Sequence, residues 1–102
     1  MAKKKQIPTG ISPQIATAEV AFGRILKERR LALGYTQSDL EAISQIGRSY
    51  ISELESGEKQ VCIRSFIRLA YSLNTQPGDL MAQVIEGMDK RALKEMQPEK
   101  AS

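Results

Sequence analysis

Residues 36–60 read TQSDLEAISQIGRSYISELESGEKQ, and two short helices joined by a tight turn account for that text. Thr36 followed by Asp39 is an S/T-x-x-D/E capping pattern, with Asp in place of the usual Glu or Gln, and it opens a helix over TQSDLEAI. Residues 44–46 then lead to Gly47, a tolerated N-cap residue. A second helix, RSYISELES, turns Ile51 and Leu54 inward and stops at Gly57. The two helices with their short connection have the spacing of a helix-turn-helix, a weak signal alone because any small helical bundle has short turns.

Reading outward, the chain becomes helical upstream from Ala18. Phe22, Ile25, Leu26 and Leu33 share one face, Arg24, Lys27, Arg29 and Arg30 crowd the others, and Gly34 has the place of a C-terminal cap. Downstream, EKQVC is a loop. A helix over about residues 63–73 follows, with Phe66, Leu69, Ala70 and Leu73 on its apolar face and Asn74 at its end. Pro77-Gly78-Asp79 punctuates, and a last helix starts near Asp79 and reaches at least Met88. No segment alternates with period two for long enough to be a strand. The expected fold is all-α, with five short helices. Residues 1–12, holding Lys3, Lys4 and Lys5, read as a flexible basic arm, and Ser12-Pro13 as a helix start. Residues 13–88 form the domain, and 89–102 a helical extension or flexible tail.

The composition narrows the chemistry. In 102 residues there is no His and one Cys, Cys62, so Ser-His-Asp and Cys-His catalysis, His general bases and most zinc or iron sites are excluded. No paired carboxylates, phosphate loop or metal-ligand cluster offers an enzyme site, and no cofactor or small-molecule effector is indicated. Cys62 reads as semi-buried packing rather than as a nucleophile. Without an apolar run after the lysines or an apolar stretch of membrane-spanning length, the expectation is a soluble cytoplasmic protein with no membrane contact. The net charge of +3 is unevenly spread. Residues 1–35 carry seven cations against Glu19 and Glu28, whereas residues 36–60 carry two against five carboxylates.

The particular residues resemble the helix-turn-helix of the Cro and phage-repressor family, also called XRE-type, without a gap from Leu26 to about Met81. The match runs through L-x-x-x-R-x-x-x-G-Y-T-Q-x-x-L before the turn, R-S-Y-I-S-x-L-E-x-G after it, and F-I-R-L-A-Y-S-L-N in the closing helix. The resemblance implies a Cro/repressor-like domain that binds double-stranded DNA and regulates transcription. It implies that Gln37 clamps a phosphate from a helix N-terminus, where unpaired N–H donors favour anions. Thr36, Tyr50 and Lys59 are placed with the phosphate contacts. Arg48, Ser49, Ser52 and Glu53 would face base edges, Arg48 donating to guanine O6 and N7 and Glu53 accepting from cytosine N4 or being held by a neighbouring cation. The family also pairs an Arg late in the first helix with a Glu at the end of the recognition helix, here Arg30 and Glu55.

Three positions depart from the family pattern. Glu41 stands where a small residue is usual, Gln45 where a Gly usually starts the turn, and Gly47 where a hydroxyl residue usually caps the recognition helix. Glu41 implies altered packing between the two helices or a side chain bent outward, and Gln45 a mildly strained left-handed residue. In the last helix Leu80 and Val84 close the core. Met81, Ile85 and Met88 form an adjacent apolar stripe, extended by Ala92, Leu93 and Met96 if the helix continues, and the simplest use of it is a homodimer on a partly palindromic operator. The alternatives are an interaction module of this fold without DNA binding, and an antitoxin or restriction–modification controller.

Overall fold

The structure, a computed structural model, describes residues 16–98. Six helices make up the described residues: α1 (Ala18–Ala32), α2 (Gln37–Ser44), α3 (Arg48–Glu55), α4 (Ile63–Ser72), α5 (Pro77–Gly87) and α6 (Lys90–Met96). The lysine arm and the Ser12-Pro13 start lie outside the described residues. The α1 helix is capped by Thr17, whose hydroxyl oxygen accepts from the Val20 N–H at 3.2 Å. Glu19 in its first turn and Arg29 and Arg30 in its last match the helix dipole.

The amphipathic faces fold onto one core. Helix α1 packs against α3 and α5, α2 against α3 and α4, and α4 against α5. Leu26, Leu40, Ile51, Leu54, Leu69, Leu73 and Leu80 are wholly or almost wholly buried there, and Phe22 meets Phe66 with ring centroids 5.5 Å apart. These aliphatic side chains supply most of the driving force, since burying each is worth about 1.5–3 kcal/mol. The chain turns sharply where it was expected to: Gly34 has φ 76°, and Asn74, ending α4, has φ 58°.

Four expectations are corrected. Leu33 does not join the apolar face of α1; it is the C-cap residue and stays exposed, because the helix ends one residue earlier. The fifth helix starts at Pro77, whose missing N–H costs nothing in a first turn. It also ends at Gly87 and a separate helix follows, so the described residues hold six helices where five were expected. Met88 adopts extended backbone, the Asp89 N–H donates to the Ala16 carbonyl at 2.9 Å, and the Asp89 carboxylate caps α6 through Arg91 N–H at 2.8 Å. This break turns Met88 inward, leaving it 9% exposed, so it is a core residue and not part of an exposed stripe. Ala92 is buried with it and Leu93 is partly buried against the core, which leaves Met96 exposed.

Candidate nucleic-acid interface

Helices α2 and α3 begin in different ways. At α2 the capping box is complete: Thr36 Oγ1 accepts from the Asp39 N–H at 2.9 Å, and the Thr36 N–H donates to Asp39 Oδ2 at 2.9 Å. The turn that follows is held by Gln45 in the left-handed conformation, φ 62°, its N–H donating to the Glu41 carbonyl at 2.7 Å. Ile46 anchors the turn in the core and donates its N–H to Ser44 Oγ at 3.1 Å. Gly47 then occupies the N-cap of α3 with no side chain to offer. Glu41 fills that role from the neighbouring helix, its Oε2 accepting from the Arg48 N–H at 3.2 Å.

With Ile51 and Leu54 in the core, α3 turns Arg48, Ser49 and Ser52 to solvent, all within its first five residues. Glu53 follows on the same side, half-exposed, with Lys59 Nζ 3.7 Å from its Oε1. Such a surface pair is worth little in stability, about 0–1 kcal/mol. Thr36 is exposed and Gln37 half-buried at the start of α2. Tyr50 packs its ring on the core, and its hydroxyl donates to the Gln60 carbonyl at 3.1 Å.

The other end of α3 is tied down by buried charge. Arg30 Nε donates to Glu55 Oε2 at 2.6 Å and Nη2 to Glu55 Oε1 at 2.9 Å, a two-bonded fork, while Nη1 donates to the Tyr35 carbonyl at 2.8 Å. The hydrogen bonds to Glu55 raise the Arg30 pKa above its ordinary value; burial pulls it down less strongly, so the guanidinium stays charged. Gln37 joins this network through its amide, which donates to Glu55 Oε1 at 3.1 Å. An amide nitrogen carries two hydrogens, so Gln37 keeps a second donor for an outside acceptor. Gly23 lets α1 lie directly on this end of α3. A Cβ there would stand 2.3 Å from the Leu54 carbonyl oxygen and 2.7 Å from that of Glu55.

The acidic balance of residues 36–60 therefore has a structural explanation. Asp39 and Glu41 cap helix starts, Glu55 holds Arg30, and Glu53 faces Lys59, so four of the five carboxylates have internal partners. The sequence reading missed three features. Gly23 and the Glu41 cap depend on tertiary neighbours. An exposed apolar row, Ile63, Ile67 and Tyr71 on α4, was visible as an i, i+4, i+8 spacing, and Ile63 is 78% exposed. Met81 and Ile85 lie one turn apart on α5, each 43% exposed. Cys62 also departs from expectation: it is exposed, because as N-cap of α4 it precedes the helix's buried face. Its Sγ lies 3.3 Å from Ser65 Oγ, and hydrogen bonding from that hydroxyl to the thiolate draws the thiol pKa below its ordinary value. No group of metal-ligating side chains and no helix long and apolar enough to cross a membrane occurs among the described residues.

A helix-turn-helix family model matches residues 26–80, from the second half of α1 to the first turn of α5. The chain belongs to the XRE-type helix-turn-helix family. That family consists of DNA-binding transcription regulators. Solved structures similar to this XRE-type chain include the restriction–modification controller C.AhdI from Aeromonas hydrophila. It is 36% identical, with a TM-score of 0.58, over 60% of this chain and 92% of that one. The clp gene regulator ClgR from C. glutamicum is 25% identical, with a TM-score of 0.68, over 76% of this chain and 99% of that one. The controller C.Esp1396I, seen as a tetramer on its natural 35 base-pair operator, is 26% identical, with a TM-score of 0.63, over 69% of this chain and 92% of that one. Among curated proteins none matches the chain significantly.

Proposed function

We propose that this XRE-type chain is a sequence-specific regulator of transcription that binds double-stranded DNA as a homodimer on a partly palindromic operator in the cytoplasm. The observation that carries the reading is α3 itself: a short helix anchored on two buried residues that presents Arg48, Ser49 and Ser52 outward at its N-terminal end. A recognition helix contacts base edges with its N-terminal residues while the first helix of the motif crosses the backbone. In this reading Arg48 makes the bidentate contact to guanine, and Ser49 and Ser52 bond to base or phosphate. Glu53 is an acceptor for cytosine N4 once Lys59 swings to a phosphate. Thr36 and the second amide hydrogen of Gln37 hold phosphate at the start of α2.

The dimer is supported by Met81 and Ile85, a pair of large apolar side chains left half-exposed on α5. A two-fold axis through that face would place two α3 helices about 34 Å apart, one turn of duplex. A narrower second reading, a restriction–modification controller, is favoured by the two neighbours of that description. The test is selection from random duplexes with the mass of the complex measured on the winning site. Two enriched half-sites bound by two chains are expected. An interaction module without DNA binding would return no enriched sequence at any salt concentration.

A further inference from the structure

The start of α3 lacks what the start of α2 has. Thr36 caps α2 from its own side chain, whereas Gly47 contributes none, and the amide of the first residue of α3 is held by a carboxylate from another helix. That amide belongs to Arg48, the residue whose side chain carries the base contact in the reading above. We propose that Glu41 is a positioning residue for sequence discrimination, an inference that rests on α3 being the recognition helix. Its carboxylate does two things at one place. As a hydrogen-bond acceptor it fixes the first turn of α3, and with it the backbone from which Arg48 reaches the groove. As a charge it satisfies the N-terminal end of the helix dipole, which would otherwise attract any phosphate regardless of sequence. Glu41 thus raises specific over non-specific binding, by ordering the one and weakening the other.

Acceptor and charge are separable by substitution. Glu41→Ala removes both, Glu41→Gln keeps an acceptor without the charge, and Gly47→Ser supplies a local cap, since a Cβ at Gly47 meets nothing within 4 Å. The experiment measures binding of the whole chain to its selected duplex and to a duplex altered at the Arg48 base pair, across salt concentrations, with thermal melts as a check on folding. Glu41→Ala is expected to bind the altered duplex more tightly while its discrimination falls about fivefold, the scale of a lost helix cap. Glu41→Gln should recover only the part of the discrimination that the ordered first turn supplies, the altered duplex still being bound more tightly than by wild type. Adding Gly47→Ser to Glu41→Ala should restore the same part of the discrimination, since it replaces the cap and not the charge. A purely structural role would lower binding to both duplexes together and leave their ratio unchanged, which overturns the proposal. Equal discrimination in wild type and Glu41→Ala overturns it as well. If wild type itself selects no sequence, it is the recognition-helix reading that fails.

Discussion

The two ends of α3 are held by opposite means. At its C-terminal end a buried guanidinium forks onto Glu55, Gln37 adds a third bond, and α1 lies against the backbone at Gly23. At its N-terminal end the Arg48 N–H donates to Glu41 at 3.2 Å, the one side-chain cap there among the described residues, at the edge of solvent. The difference separates two requirements of a reading head. The far end fixes where the helix sits on the scaffold and has to be rigid. In the proposed reading the near end meets the DNA, and small changes there in cap and charge are expected to alter selectivity more than folding.

The contrast can be broken at either end. Arg30→Ala leaves the Glu55 carboxylate buried without its cation and is expected to cost about 3–5 kcal/mol, the penalty for an orphaned buried charge. Urea denaturation followed by circular dichroism would measure it. A cost below about 1 kcal/mol would place the pair among surface bridges and remove the contrast. Gly23→Ala tests the same end sterically. Because backbone oxygens block the new methyl, helix α1 has to shift, with an expected loss of about 1–3 kcal/mol despite the better helix propensity of alanine. A stabilised variant would show that α1 and α3 are not in close approach.

Smaller effects belong to the helix starts. Thr36→Ala removes the α2 capping box and should cost about 1 kcal/mol, or about 4–8 °C in Tm for a domain of this size. Gly47→Ser should stabilise by a few tenths of a kcal/mol at most, since Gly is already a tolerated N-cap. If Gly47→Ser gained as much as Thr36→Ala loses, Glu41 would not be an adequate substitute cap.

The same contrast explains how much the sequence revealed. The α2 start was legible because Thr36 and Asp39 are three positions apart and complete their bonds within one turn. The buried faces of α3 and α4 were legible because Ile51 with Leu54, and Phe66 with Leu69 and Leu73, recur at helical spacing. Arg30 and Glu55 are 25 positions apart, and nothing local links them; family resemblance, not spacing, joined them. The Glu41 cap and the Gly23 contact stayed unread because the atoms that give them meaning belong to other helices. The break at Met88 was missed for a related reason. The last helix was read through to at least Met88, whereas Asp89 starts a new helix and donates its N–H to Ala16, a partner far back along the chain.

The most direct test of the account is base-by-base discrimination by Arg48→Ala against wild type on the selected operator. If α3 reads DNA through its N-terminal end, the variant binds the parent site more weakly and loses about 1–3 kcal/mol of preference at one base pair in each half-site, with the other positions unchanged. A variant that keeps the wild-type preference at every position, or weakens all sequences equally, would contradict it and make Arg48 a phosphate contact at most.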